Sequence, residues 1–120
     1  MPFKPGDIVT VDFPGVTGIK RRPVVALSSA TYHATRPDTI VGLITTRTSG
    51  LGATDYELQD WAAAGLPIAS VFRSFIVTLP PSSNLVYIGH LSERDWKGVL
   101  KCIKVALAEL EDSPDTAGSS

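Results

Sequence analysis

The sequence predicts a small, mainly β protein: a barrel or curled sheet of about six short strands, closed by one C-terminal helix. Three observations predict this. Short runs rich in β-branched residues recur between residues 8 and 89, separated by turns containing Gly and Pro. Only the stretch after Leu91 places apolar residues at sustained helical spacing. A length of 120 residues, 43% hydrophobic and 19% charged, suits one globular domain with its own core.

The elements follow in order. Lys4-Pro5-Gly6-Asp7 is turn chemistry, and Ile8–Phe13 reads as the first strand. Pro14–Gly18 reads as a loop, Pro23–Leu27 as a second, largely apolar strand, and Ser28–Asp38 as polar and irregular. Thr39–Thr46 is a third strand, followed by a Gly-containing loop at 47–52. Thr54–Leu58 is a short fourth strand, and Asp60–Gly65 one helical turn that Gly65 ends. Ser70–Leu79, closed by Pro80-Pro81, and Asn84–Gly89 complete the strands. Ser92 is a helix N-cap with Asp95 placed to complete a capping box, and Leu91 and Trp96 have the spacing of a hydrophobic staple. Trp96, Val99, Leu100, Ile103, Ala106, Leu107 and Leu110 then form one apolar stripe. Residues 111–120 carry no large apolar residue and read as a flexible tail after a domain spanning 1–110.

Composition excludes several functions. The net charge of −1 excludes a uniformly basic nucleic-acid binder, but the charge is uneven: +3 over residues 1–52 and −4 over 53–120. A local anion-binding patch near residues 14–22 and 46–53 fits that asymmetry. Cys102 alone forms no disulfide within the chain, and one Cys with two His argues against a structural zinc site. No run approaches the ~20 apolar residues of a membrane span, and Met1–Thr10 lacks an apolar signal-peptide core. A cytoplasmic protein without membrane association is expected.

The usual phosphate-loop, nucleophile-elbow and paired-His motifs are absent from the sequence. Cys102, between Leu100 and Ile103, reads as a packed thiol. Two constellations carry chemistry. In Lys20-Arg21-Arg22-Pro23, Pro23 pushes Arg22 into extended geometry at a strand entrance. A guanidinium fixed there grips a phosphate through two hydrogen bonds, and Lys20 and Arg21 add electrostatic pull. In Thr45-Thr46-Arg47-Thr48-Ser49, hydroxyls cluster at a strand exit beside a glycine loop.

The order of these segments resembles a known family. Gly6-Asp7-Ile8-Val9-x-Val11-Asp12-Phe13, Arg21-Arg22-Pro23-Val24-Val25-x-Leu27-Ser28, Ile44-Thr45 and Ile88-Gly89-x-Leu91-Ser92 resemble the PemK/MazF toxin endoribonucleases, over residues 5–110. Leu66-Pro67-x-x-Ser70-Val71-x-Arg73 resembles one subgroup. The resemblance implies an SH3-like small barrel of the PemK/MazF/CcdB type and a homodimer neutralised by a cognate antitoxin protein. It implies metal-independent cleavage of single-stranded RNA without a cofactor, through the RNA's own 2′-hydroxyl, leaving 2′,3′-cyclic phosphate and 5′-hydroxyl ends. It assigns Arg22 and Thr45 the catalytic roles. Lys20, Arg21, Thr46, Arg47 and Arg73 are the expected RNA contacts. Arg22 suits charge stabilisation and, with a pKa of about 12 or higher, suits general acid poorly. Thr45 suits orienting the phosphate or the 2′-hydroxyl.

The chain also departs from the family. Its fifth strand, Phe72-Arg73-Ser74-Phe75-Ile76-Val77-Thr78, lacks the acidic or amide residue that many members carry there. Arg73 reads either as a second phosphate contact or as a sheet-edge ion-pair partner. His33 reads as an exposed loop residue or a substitute acid–base group, and His90 as structural. Trp61, Phe72 and Phe75 read as core, with an interface as the alternative. Two other functions stand beside the nuclease: a non-catalytic RNA- or protein-binding module on the same barrel, and a gyrase-targeting CcdB-type toxin. Coexistence of Arg22 and Thr45, a phosphate-facing pair, discriminates against both.

Overall fold

The structure, a computed structural model, describes residues 3–15, 18–46 and 49–109. The expected flexible tail at 111–120 and the expected RNA contact Arg47 lie outside the described residues. In chain order the elements are β1 (Asp7–Gly15), β2 (Gly18–Ala26), α1 (Ala30–His33), β3 (Thr39–Thr45), β4 (Asp55–Glu57), β5 (Val71–Leu79), β6 (Val86–His90) and α2 (Glu93–Ala106). The strands form one antiparallel half-barrel in the order β4-β5-β3-β2-β1-β6. A mainly β fold with a C-terminal helix is therefore what the sequence builds.

Strand alternation splits the apolar residues between two faces of the sheet. Ile8, Val25, Ile44 and Phe72 point to one face, where Leu58, Ala64, Leu66, Leu91, Val99 and Cys102 cover them. This is the helix side. Val9, Val11, Phe13, Val24 and Val41 form a second buried cluster on the opposite face, flanked by Leu43, Val77, Leu79 and Leu85. Strands apolar on both faces explain why β1 reads as a nearly continuous hydrophobic run.

Residues 14–22, expected as a loop, are mostly the arms of a hairpin. Phe13 pairs with Lys20, Pro14 with Ile19 and Gly15 with Gly18. β6 pairs only with residues 7–10 of β1, so Pro14 has a strand neighbour on one side alone, a position that tolerates a missing N–H. The local Pro-Gly turn signal thus gives way to the ladder. Within the segment expected to be irregular, Ser29 caps a single turn, α1, by accepting from the Tyr32 N–H at 3.2 Å.

The C-terminal helix begins where expected, with Ser92 Oγ accepting from the Asp95 N–H at 3.2 Å. Asp95, however, does not close a capping box. It is fully buried and accepts from the Tyr56 hydroxyl at 2.8 Å and from the backbone N–H groups of Gln59 and Asp60 at 2.9 and 2.8 Å. That anchor sets the buried seam of α2 to Asp95, Val99 and Cys102, flanked by Trp96 and Ile103. Leu100 and Leu107, expected on the buried stripe, are exposed. The 60–65 turn ends at Gly65, whose φ of +91° and close approach to the Ile88 carbonyl leave no place for a side chain.

Candidate functional site

The β2–β3 ladder places the first site pair. It runs from Ala26 opposite Val41 to Val24 opposite Leu43. Pro23 has no N–H to extend it. Followed two residues further, the same register sets Arg22 across from Thr45. Alternation gives both the face of Val24 and Leu43, away from the helix. Both side chains are half-buried. Among the described residues, no hydrogen bond or ion pair engages the Arg22 guanidinium. Arg22 is extended, as the proline after it predicts, but it lies in the middle of β2 and not at a strand entrance, because pairing with β1 carries the strand back to Gly18.

The row continues across the sheet. Val11 of β1 lies opposite Arg22, Thr45 opposite Val71, and Val71 opposite Glu57. One step along, Val9, Val24, Leu43, Arg73 and Asp55 form the next row on the same face. Arg73 is thus the diagonal neighbour of Thr45, a separation of about 7–8 Å between strand positions. Its Nε sits 3.4 Å from Asp55 Oδ1, and the Asp55 side chain is only 7% exposed. The alternative left open for Arg73, an ion pair at the sheet edge, is realised; a phosphate contact remains compatible with it.

Asp55 is a residue beside the candidate site that sequence reasoning did not single out. The carboxylate absent from the fifth strand stands instead on β4, held by the Gly52 N–H at 2.9 Å on Oδ2. The register of a three-residue strand was the missing information. Beside this pair, β5 carries a bulge: Leu43 pairs with Arg73 while Gly42 pairs with Ile76, so Ser74 and Phe75 are extra. Ser74 Oγ donates to the Thr54 carbonyl at 2.8 Å. Leu43, Thr54, Asp55, Arg73, Ser74 and Phe75 enclose an open hollow of about 430 Å³. Phe75 is 53% exposed rather than core, and meets the buried Phe13 edge-to-face at 5.5 Å.

The remaining expected contacts separate by face. Lys20 lies opposite Phe13, on the Arg22 side, and is exposed. Arg21 points to the helix side, where its Nε donates to Thr10 Oγ1 at 3.2 Å and Nη1 lies 3.5 Å from Asp12 Oδ1. Thr46 is exposed just beyond β3. His33 is remote: its Nε2 sits 2.7 Å from Ser28 Oγ, which accepts from the Ile40 N–H, about 15 Å of strand from Thr45. His90 Nδ1 lies 2.8 Å from Asp7 Oδ1 and ties β6 to β1, a structural position. Cys102 is buried, and burial pushes its thiol pKa up. Among the described residues, no group of three or more His, Cys, Asp or Glu is placed to hold a metal ion, and no helix is long and apolar enough to cross a membrane.

Comparisons with known proteins agree with this fold. No curated protein matches the chain by sequence. Among solved structures, a MazE–MazF complex from Deinococcus radiodurans is 20% identical, with a TM-score of 0.71 over 88% of this chain and 96% of that one. An endoribonuclease in complex with its cognate antitoxin, from a mycobacterial species, is 17% identical, with a TM-score of 0.67 over 88% and 94%. The Mycobacterium tuberculosis toxin MazF-mt6 is 25% identical, with a TM-score of 0.59 over 81% and 94%. Residues 4–107 match the family model described as PemK-like, MazF-like toxin of type II toxin–antitoxin system. With that match spanning nearly all of the described fold, the chain belongs to the PemK-like, MazF-like toxin family.

Proposed function

We propose that this protein is a toxin that cleaves single-stranded RNA without a metal ion, with Arg22 and Thr45 at its reacting centre. What supports the reading is the β2–β3 register: carried two residues past its last pair, Val24–Leu43, it lines up a cation and a hydroxyl, 23 residues apart in sequence, on one face of adjacent strands. In the reaction, the RNA 2′-oxygen attacks the adjacent phosphorus and the P–O5′ bond breaks. The products are a 2′,3′-cyclic phosphate and a 5′-hydroxyl. Arg22 stabilises the charge on the pentavalent phosphorane, and Thr45 orients the phosphate or the 2′-hydroxyl. Lys20 and Thr46 hold the flanking backbone.

The described site offers no histidine beside Arg22, and its nearest buried carboxylate, Asp55, is already engaged by Arg73. Positioned acid–base groups typically contribute about 10²–10⁴-fold, so the chemistry is slow. A homodimer and a cognate antitoxin complete the reading, the antitoxin laying an acidic segment over the cationic face. The engaged state of Asp55 also favours the second reading, an RNA-binding module that does not cut.

The test is cleavage of a long single-stranded RNA in EDTA by protein freed of antitoxin. Discrete fragments with cyclic-phosphate and 5′-hydroxyl ends are expected, and Arg22→Ala lowers the rate by about 10²–10³-fold while the protein stays folded. Intact RNA with the folded wild-type protein rejects the nuclease in favour of the binding module. Unchanged cleavage by Arg22→Ala removes Arg22 from the mechanism.

A further inference from the structure

Resting on the reading that this face takes single-stranded RNA, we infer that the hollow beside Arg73 is a nucleobase subsite selective for guanine. Three observations build it. The hollow lies one diagonal step from Thr45, on the same face, so a nucleotide next to the one held by Arg22 and Thr45 reaches it. The β5 bulge aims Phe75 outward, and its edge-to-face contact with Phe13 fixes the ring while leaving at least one π-face open. Exposed aromatic faces on a sheet are stacking platforms for unpaired bases.

Arg73 supplies the reading edge. Asp55, held in place by the Gly52 N–H, pairs with its Nε. Among the described residues, no hydrogen bond engages the two terminal guanidinium nitrogens. The ion pair therefore orients a fork of donors toward the hollow and leaves its outer edge available. Two parallel donors match the O6 and N7 acceptors of guanine. Adenine offers one acceptor and one donor there, so a second N–H would meet an N–H; pyrimidines lack N7 altogether. Asp55 is thus a positioning residue for Arg73, and Phe75 and Arg73 touch the base.

The inference is tested by binding, with RNA that cannot be cut. The probe is a short fluorescent 2′-O-methyl oligouridine carrying one central guanosine, compared by anisotropy with the same oligonucleotide carrying adenosine, uridine or 7-deazaguanosine. The guanosine probe is expected to bind about tenfold more tightly than the other three. Arg73→Lys, which keeps the charge but loses the fork, binds all four equally, and Asp55→Asn narrows the preference. Phe75→Ala weakens every probe by about tenfold. Equal binding of the four probes by the wild type overturns the inference, as does a guanine preference that survives Arg73→Lys. Should any of these variants fail to fold, the 7-deazaguanosine comparison on wild-type protein decides alone. Because 2′-O-methyl RNA has no attacking hydroxyl, this result is independent of whether the protein cleaves.

Discussion

The Tyr56 phenol joins the sheet to the helix through a single hydrogen bond, donated to Asp95 at 2.8 Å. Burial first, then that bond and the nearby carboxylate charge, push its pKa from 10.0 up to about 12, against a lesser pull from Arg94. A folded-state pKa above the unfolded one means that stabilisation is complete below about pH 10 and is lost as pH rises towards about 12. Urea unfolding should therefore show wild-type stability falling through that window. Tyr56→Phe should be about 1–2 kcal/mol less stable at neutral pH and lack this component of the alkaline loss. An equal fall in both proteins would remove Tyr56 as its source. At the same scale, Arg22 is a candidate that local sequence singles out, through the proline after it. Asp55 is not, because nothing local in Thr54–Leu58 says which strand it will face.

The helix shows how one buried group decides which side of an element is inside. Spacing alone gives α2 an apolar stripe through Leu100 and Leu107, yet the buried seam is Asp95, Val99 and Cys102. Ser92 and Arg94 reinforce the seating from outside. Ser92 Oγ donates to Asp60 Oδ2 at 2.5 Å and Arg94 Nη2 lies 2.7 Å from Asp60 Oδ1, holding the Asp60 carboxyl below its ordinary pKa. Asp95→Ala strands the donors of Tyr56, Gln59 and Asp60, each costing about 1–3 kcal/mol if buried and unpaired. A loss of about 3 kcal/mol or more in equilibrium unfolding is expected, with hydrogen exchange rising first in residues 56–60. A loss below about 1 kcal/mol would mean that apolar packing, not this anchor, seats the helix. Helix existence and start were readable from Ser92 and the staple. The seam was not, because an acidic residue in a first turn reads as a cap until a partner element is known.

For the whole molecule, the proposed function depends on how strand order sorts charge, not on how much charge there is. The chain is close to neutral, and the run Lys20-Arg21-Arg22 reads as one basic patch. Folding splits it, sending Lys20 and Arg22 to the face of Thr45 and Arg73, and Arg21 to the helix side against Asp12. Two-residue periodicity makes this division unavoidable once residues 18–26 are strand; reading 18–22 as loop concealed it. The division has a measurable consequence. Binding of single-stranded RNA weakens with salt by about 0.7 log units per log unit for each phosphate neutralised. Measured with the non-cleavable oligouridine over a salt series, Lys20→Ala should flatten that slope by about 0.7. Arg21→Ala removes the same charge from the opposite face, where it already pairs with Asp12, and should shift the slope by clearly less. Equal shifts would mean that the RNA tracks the hairpin edge instead of the face, and Arg22 and Thr45 would then lose the geometric reason for acting as a pair.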